Sequence, residues 1–137
     1  MDQLRSPGGC PWDAEQTHES LLKYLLEESY EFIESVESGD RSHMREELGD
    51  LLLQVYFHSR IAQEDTSDPF SIDDVAKQVA DKLVNRHPHV FSDVKVKDSS
   101  DVLENWEKIK NAEKVELDRK STRLNSSHEW ISRMPSS

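Results

Sequence analysis

The stretch that decides the fold is residues 24–58, which read YLLEESYEFIESVESGDRSHMREELGDLLLQVYFH. Apolar residues recur along it at the three- and four-residue spacing of an amphipathic helix. The pattern is interrupted at Gly39-Asp40, and a glycine in such a place is typical of a helix C-terminus. The stretch therefore predicts two long helices joined by a short turn, which makes them antiparallel neighbours.

The rest of the chain carries the same kind of pattern. We predict four helices, over about residues 17–38, 42–64, 71–86 and 101–117. Residues 1–16 are rich in turn formers, Pro88 ends the third helix, and residues 90–100 form a polar connection. Since the chain shows no alternating strand pattern of useful length, the predicted fold class is all-α, an antiparallel helical bundle.

Composition excludes several classes of protein. The 137 residues include 28 Asp and Glu against 17 Lys and Arg, a formal net charge of -11. This charge argues against binding to a nucleic-acid backbone or an anionic membrane surface. The single Cys10 excludes an intramolecular disulfide and a Cys-rich zinc site. With no apolar run near ~18 residues and no signal-peptide pattern, we expect a cytoplasmic protein.

The end of the chain breaks with this pattern. Residues 120–137 read KSTRLNSSHEWISRMPSS, which is Ser-rich and has no helical period. We therefore predict one domain over residues 1–118, followed by a disordered, non-native tail over residues 119–137.

Acidic residues occupy matching places on the two central helices. The first helix contains Glu27-Glu28-Ser29-Tyr30-Glu31, and the second contains Glu46-Glu47-Leu48-Gly49-Asp50. Positions i and i+3 of a helix lie about 60° apart, so Glu28 shares a face with Glu31, and Glu47 shares one with Asp50. Each pair borders the apolar stripe of its helix. Antiparallel packing on those stripes lets the two pairs meet at mid-length.

Four carboxylates that meet repel one another unless they are protonated or neutralised by cations. Oxygen ligands without Cys or His favour Mg²⁺, and Mn²⁺ is also suitable. A di-iron site is a weaker interpretation, because its Glu-x-x-His pattern occurs here at the helix entrance, in Glu15-Gln16-Thr17-His18. The simplest alternative is that these acids are solvated on the helix surfaces.

A magnesium site on an acidic chain suits a polyphosphate, since the cation bridges the carboxylates and the phosphates. Lys82 and Arg86 are four residues apart, and Lys110 follows Trp106 by four. These cations can contact phosphates, and Trp12 or Trp106 can stack on a base. The same residues also fit surface cations and packed aromatic side chains. His58 is expected to be a hydrogen-bonded core residue.

At these residues the chain resembles the MazG family of nucleoside triphosphate pyrophosphohydrolases. The family pattern E-E-x-x-E, followed after a spacer by E-x-x-D, matches Glu27, Glu28, Glu31, Glu47 and Asp50. The flanking stretches that match include GCPWDAEQTHESL, REELGDLLLQVYFH, DKLVNRHPHVF and NWEKIK. The resemblance covers about residues 4–114. It is to the first of the two tandem copies of this domain that full-length relatives often carry.

The resemblance implies an all-α pyrophosphohydrolase fold completed by a second chain, and thus a homodimer or higher homo-oligomer. It implies hydrolysis of a nucleoside triphosphate between the α- and β-phosphates. By motif match, the implied Mg²⁺ ligands are Glu28, Glu31, Glu47 and Asp50. The implied nucleotide-binding residues are Lys82, Arg86, Trp106 and Lys110.

Our leading hypothesis is metal-assisted hydrolysis of the triphosphate, in which Glu27 or Glu46 orients or deprotonates the attacking water. A second hypothesis is a non-catalytic dimerisation domain that binds nucleotide and metal within a larger tandem-domain protein. A third is a purely structural helical bundle.

Overall fold

The computed structural model describes residues 1–120, in which every regular element is a helix. The elements in chain order are α1 (Asp2–Arg5), α2 (Pro11–Glu15), α3 (His18–Ser38), α4 (Arg41–Gln63), α5 (Ile72–Arg86), α6 (Pro88–Phe91) and α7 (Ser99–Lys120). The predicted all-α class is therefore confirmed. Arg119 and Lys120 belong to α7, and the rest of the predicted tail, residues 121–137, lies outside the described residues.

The α3–α4 hairpin has the signals at its ends that the sequence predicts. The Thr17 side chain accepts a hydrogen bond from the Ser20 amide, and the Thr17 amide donates one to Ser20 Oγ in return, which forms a capping box at the start of α3. Gly39 ends α3 with φ at 73°, a left-handed conformation that favours glycine. Asp40 then caps α4 by accepting from the His43 amide. Since only Gly39 and Asp40 separate the two helices, they pack side by side and antiparallel.

The short helices are the elements that the sequence did not predict. The turn-forming residues near the N-terminus include α1 and α2, and the chain after Pro88 forms α6 before the polar connection. Each of these three helices has only four or five residues, which is too short for a 3.6-residue period to be visible. The Gly9 backbone lies so close to α1 that a Cβ there would overlap the carbonyl oxygens of Gln3 and Leu4.

Residue contacts divide the chain into two compact units, one over Met1–Val79 and one that starts at Ala80. In the first unit, Arg5 joins the N-terminal segment to the end of α4. Its guanidinium donates two hydrogen bonds of 2.8 Å to Glu64 and two more to the carbonyls of Asp13 and Gln16. The Arg5 side chain is only 6% exposed, so this network holds α2 in place. In the second unit, Arg86 donates to Glu113 on α7 at 2.8 Å.

The core of the described residues is thin. Its buried apolar side chains are Leu21, Phe57 and Ala62, and its buried polar residues are Ser35, Glu47, Gln54 and Ser59. The two serine hydroxyls donate to backbone carbonyls of their own helices. The other two residues each keep one buried oxygen without a hydrogen-bond partner among the described residues, Oε2 of Glu47 and Oε1 of Gln54. No helix within residues 1–120 is both long enough and apolar enough to span a lipid bilayer.

Candidate metal centre and nucleotide site

Three carboxylates meet where α3 and α4 cross at mid-length. Glu28 projects from α3, and Glu47 and Asp50 project from one face of α4. One oxygen from each lies within 4.8 Å of the others. The structure thus brings together three of the four carboxylates that the spacing places on matching edges.

A second group shares Glu47 with the first. It consists of Glu31, His43 and Glu47, whose ligand atoms also lie within 4.8 Å of one another. His43 Nε2 is 3.1 Å from Oε1 of Glu47. The fourth predicted carboxylate, Glu31, therefore approaches the same buried glutamate. His43 was not among the predicted ligands, and its imidazole lies beside this group. The sequence feature that brings His43 close to Glu47 is their i, i+4 spacing on one helix face.

The first group is electrostatically unfavourable without a cation. Burial, the charge of Asp50 and the neighbouring Glu47 carboxylate together raise the pKa of Glu28 to about 6. Glu47 itself is 6% exposed, and its Oε2 has no hydrogen-bond partner among the described residues. A buried carboxylate oxygen without a partner costs free energy, and a bound cation removes that cost.

The donor set fits a hard divalent cation. Glu28, Glu47 and Asp50 offer carboxylate oxygens, the ligands that Mg²⁺ and Mn²⁺ prefer. Oε2 of Glu47 gives this set an oxygen that no group within residues 1–120 satisfies. These residues could therefore hold such an ion.

A cavity of about 280 Å³ opens beside the first group. Its wall includes Glu28 and the aromatic rings of Trp12, Tyr24 and Phe57. Trp12 stands edge-on to the other two rings, at centroid distances of 5.8 Å and 6.5 Å. The structure thus places the predicted base-stacking residue Trp12 next to a predicted metal ligand. The Arg5 network positions α2, which carries Trp12, at this cavity.

In the second unit, the four residues predicted to hold nucleotide lie on α5 and α7. The Arg86 guanidinium carbon and Lys110 Nζ lie 5.9 Å and 5.8 Å from the centroid of the Trp106 ring. The pKa of Glu113 is lowered mainly by the hydrogen bond from Arg86. The charge of Lys82 lowers it as well, so Lys82 also lies near this group. Trp106 is half-buried, and its Nε1 has no hydrogen-bond partner among the described residues.

The two carboxylates predicted to act on water lie elsewhere on the hairpin. Glu27 and Glu46 are both exposed, and neither belongs to the two groups described above. Their assignment stays a prediction. His58 is hydrogen-bonded as predicted, and its partner is His18, with 2.8 Å between the two Nδ1 atoms and 5° between the ring planes. That pairing across the hairpin was not predicted.

Residues 16–91, more than half of the chain, match the family model of the MazG nucleotide pyrophosphohydrolase domain. A helical hairpin with two groups of acids at its centre is thus the framework of a nucleotide pyrophosphohydrolase domain. The chain belongs to the MazG family.

Several curated proteins are similar to this chain. Protein YabN of Bacillus subtilis, described as uncharacterized, is 56% identical over 112 residues, which is 82% of this chain and 22% of that protein. The nucleoside triphosphate pyrophosphohydrolase/pyrophosphatase MazG of Thermotoga maritima is 48% identical over 90% of this chain and 46% of its own length. The nucleoside triphosphate pyrophosphohydrolase of Escherichia coli K12 is 45% identical over 85% of this chain and 44% of its own length. This chain spans less than half the length of each.

A solved structure supports the fold. The crystal structure of a mazG-related protein from Thermotoga maritima superimposes with a TM-score of 0.64 and 28% sequence identity. The match covers 78% of this chain and 91% of that protein. The all-α architecture described here is therefore that of a MazG-related protein.

Proposed function

We propose that this chain hydrolyses nucleoside triphosphates to a nucleoside monophosphate and pyrophosphate, with Mg²⁺ or Mn²⁺ held by Glu28, Glu31, Glu47 and Asp50. The observation that carries the proposal is Glu47, which belongs to both groups of potential ligands. It is a buried carboxylate, and one of its oxygens has no partner in the part of the chain that the structure describes. The names of the Thermotoga and Escherichia relatives support the reaction. The reaction adds the elements of water across the bond between the α- and β-phosphates.

A bound divalent cation supplies positive charge against the phosphate oxygens and lowers the pKa of water in its coordination shell. The residues of the chain have complementary tasks. Glu47 and Asp50, one helical turn apart, present their carboxylates from the same face of α4, while Glu28 faces them from α3. Because both helices are fixed by caps and by the two-residue turn, the backbone positions that carry these carboxylates are held close together before a cation binds.

Other residues are proposed for binding and proton transfer. Lys82, Arg86 and Lys110 are proposed to contact phosphates, and Trp106 to support the two neighbouring cations through its ring. We retain Glu27 and Glu46 as candidates to orient or deprotonate water, on the family pattern alone. Arg86 is bound to Glu113, so a phosphate at Arg86 has to replace or share that carboxylate.

We further propose that a second copy of the chain covers one face of the hairpin. Exposed apolar side chains follow the helical spacing along α3, namely Leu22, Leu26, Tyr30, Ile33 and Val36. A similar row on α4 contains Leu48, Leu52, Val55 and Tyr56. With a core as thin as this one, such a surface favours burial against another protein surface.

Product analysis tests the proposed reaction. The chain is incubated with each of the common ribo- and deoxyribonucleoside triphosphates, with Mg²⁺ and with a chelator. We expect nucleoside monophosphate and pyrophosphate in equal amounts, and only with the cation. Release of orthophosphate and a nucleoside diphosphate contradicts the proposed reaction. Calorimetric binding of nucleotide without any turnover favours the non-catalytic alternative, and the absence of both binding and turnover favours a structural bundle.

A further inference from the structure

Gln54 is a buried amide with an unused acceptor. The residue is 7% exposed, and its Oε1 accepts no hydrogen bond from any described residue. Native structures rarely leave a buried polar atom unpaired, since the atom loses its hydrogen bonds to water and gains none in return. Because Gln54 also lines a cavity, a ligand bound there is a candidate to supply the missing donor.

Gln54 lines two cavities, and the one that it shares with Glu28 has the lining chemistry of a site for a flat heterocycle. Its aromatic wall is formed by Trp12, Tyr24 and Phe57. The other lining residues include Leu4, Leu21, Leu53 and the acidic Asp13. Its volume of about 280 Å³ suits one planar ring system and lies near the lower limit of about 300 Å³ for ligand pockets. Aromatic faces bind every base by stacking, so the aromatic wall alone gives little discrimination.

The position of the cavity relates it to the carboxylates. Glu28 lines the cavity and also belongs to the group with Glu47 and Asp50. Gln54 lies on α4 one turn beyond Asp50, on the same helix as two of the carboxylates. A nucleotide whose phosphates approach that group therefore has its base within reach of the aromatic wall.

We propose that this cavity binds the nucleobase of the substrate and that the Gln54 amide determines which base is preferred. The inference rests on the proposed function, because it assumes that the ligand is a nucleotide. An amide offers an acceptor and a donor side by side, which matches the paired donor and acceptor on the hydrogen-bonding edge of a base. A base that leaves the buried amide unpaired is disfavoured much more than one that merely fits less well.

Base-dependent binding and turnover in Gln54→Met test the proposal, since methionine keeps the length of the side chain and removes both polar atoms. We measure kcat/KM for triphosphates of the four bases and, by calorimetry, the Kd of the corresponding monophosphates. The wild-type chain is expected to give different kcat/KM values for the triphosphates of the four bases. In Gln54→Met, the ratio of the highest to the lowest kcat/KM is expected to fall by about tenfold or more. Gln63→Leu, an exposed change on the same helix, should leave the ranking intact.

A purely structural role for Gln54 lowers kcat/KM for every base by one common factor, and that result overturns the proposal. If Gln54→Met fails to fold, Gln54→Asn keeps the amide and withdraws it by one methylene. Its ranking must then differ from wild type, and an unchanged ranking is a contradiction. If the wild-type chain releases no pyrophosphate at all, the proposed function fails. The Kd values of the monophosphates then decide alone whether Gln54 determines base preference.

Discussion

Glu28 of α3 and Glu47 of α4 face each other across the hairpin, with a carboxylate oxygen of each within 4.8 Å of the other. Together with burial and the charge of Asp50, this contact keeps the pKa of Glu28 near 6, above its usual 4.5. A protonated Glu28 is one way to relieve the repulsion in this group, and a bound cation is another. The stability of the chain without metal should therefore report on the group directly.

Glu28→Gln should remove a pH dependence of stability. The folded chain binds more protons than the unfolded chain between pH 4.5 and about 6, so the contribution of Glu28 to stability falls as pH rises through this window. In chelator, the difference in unfolding free energy between Glu28→Gln and wild type should increase from pH 4.5 to pH 7. Urea denaturation at several pH values measures it. A difference that is constant with pH contradicts the pairing.

His58 should show a pH dependence of the opposite sign. Burial lowers the pKa of His58, and the charge of His18 lowers it further. A histidine with a depressed pKa is held neutral in the folded state, so its contribution is present above pH 6.5 and is lost as pH falls through the depressed pKa. His58→Leu should therefore flatten the loss of wild-type stability below pH 6.5. An unchanged slope in the same urea series would falsify the assignment.

Arg5→Ala should destabilise the N-terminal segment. The substitution removes four hydrogen bonds that the Arg5 guanidinium donates. The backbone carbonyls of Asp13 and Gln16 and the carboxylate of Glu64 then lose that donor. Because Glu64 is partly exposed and also bonds Arg60, we expect a loss of about 2–3 kcal/mol. Arg41→Ala, an exposed change at the start of α4, should stay within about 0.5 kcal/mol of wild type. Equal unfolding free energies for the two variants would show that the network contributes little.

A charge on the exposed apolar face of α3 should abolish self-association. Leu26 is 57% exposed and Ile33 is 47% exposed, although both are large apolar residues. Light scattering after size exclusion should find wild type as a dimer or larger oligomer and the Leu26→Glu, Ile33→Glu double variant as a monomer. Val90→Glu, which changes an exposed residue of α6, should keep the wild-type mass. A monomeric wild type refutes the second-copy proposal.

The long helices were predictable because each carries many periodic positions and clear end signals. Gly39 and the caps at Thr17 and Asp40 are visible in the sequence, and the predicted bounds of the hairpin agree to within about two residues. The meeting of Glu28 with Glu47 followed from spacing plus the short turn. By contrast, the His18–His58 pair and the Arg5 network join residues far apart in the chain. Such contacts depend on the packed structure and leave no local pattern.

The polar lining of the cavity also could not be predicted from the sequence. Gln54 lies between apolar residues of α4, and nothing in its neighbours distinguishes it from a surface glutamine. Only its burial and its unpaired Oε1 single it out. His43 was not singled out for a different reason: its spacing from Glu47 was visible in the sequence, but the interpretation favoured oxygen ligands.

The most direct measurement is Mg²⁺-dependent release of pyrophosphate by Glu47→Gln, which keeps the shape of the side chain and removes its charge. Glu34→Gln on α3 is the matched control, because Glu34 is exposed and outside both groups of acids. Loss of a direct ligand should cost more than the roughly 100-fold typical of supporting residues. The account predicts near-complete loss of release in Glu47→Gln and wild-type release in Glu34→Gln. Retained turnover in Glu47→Gln contradicts it.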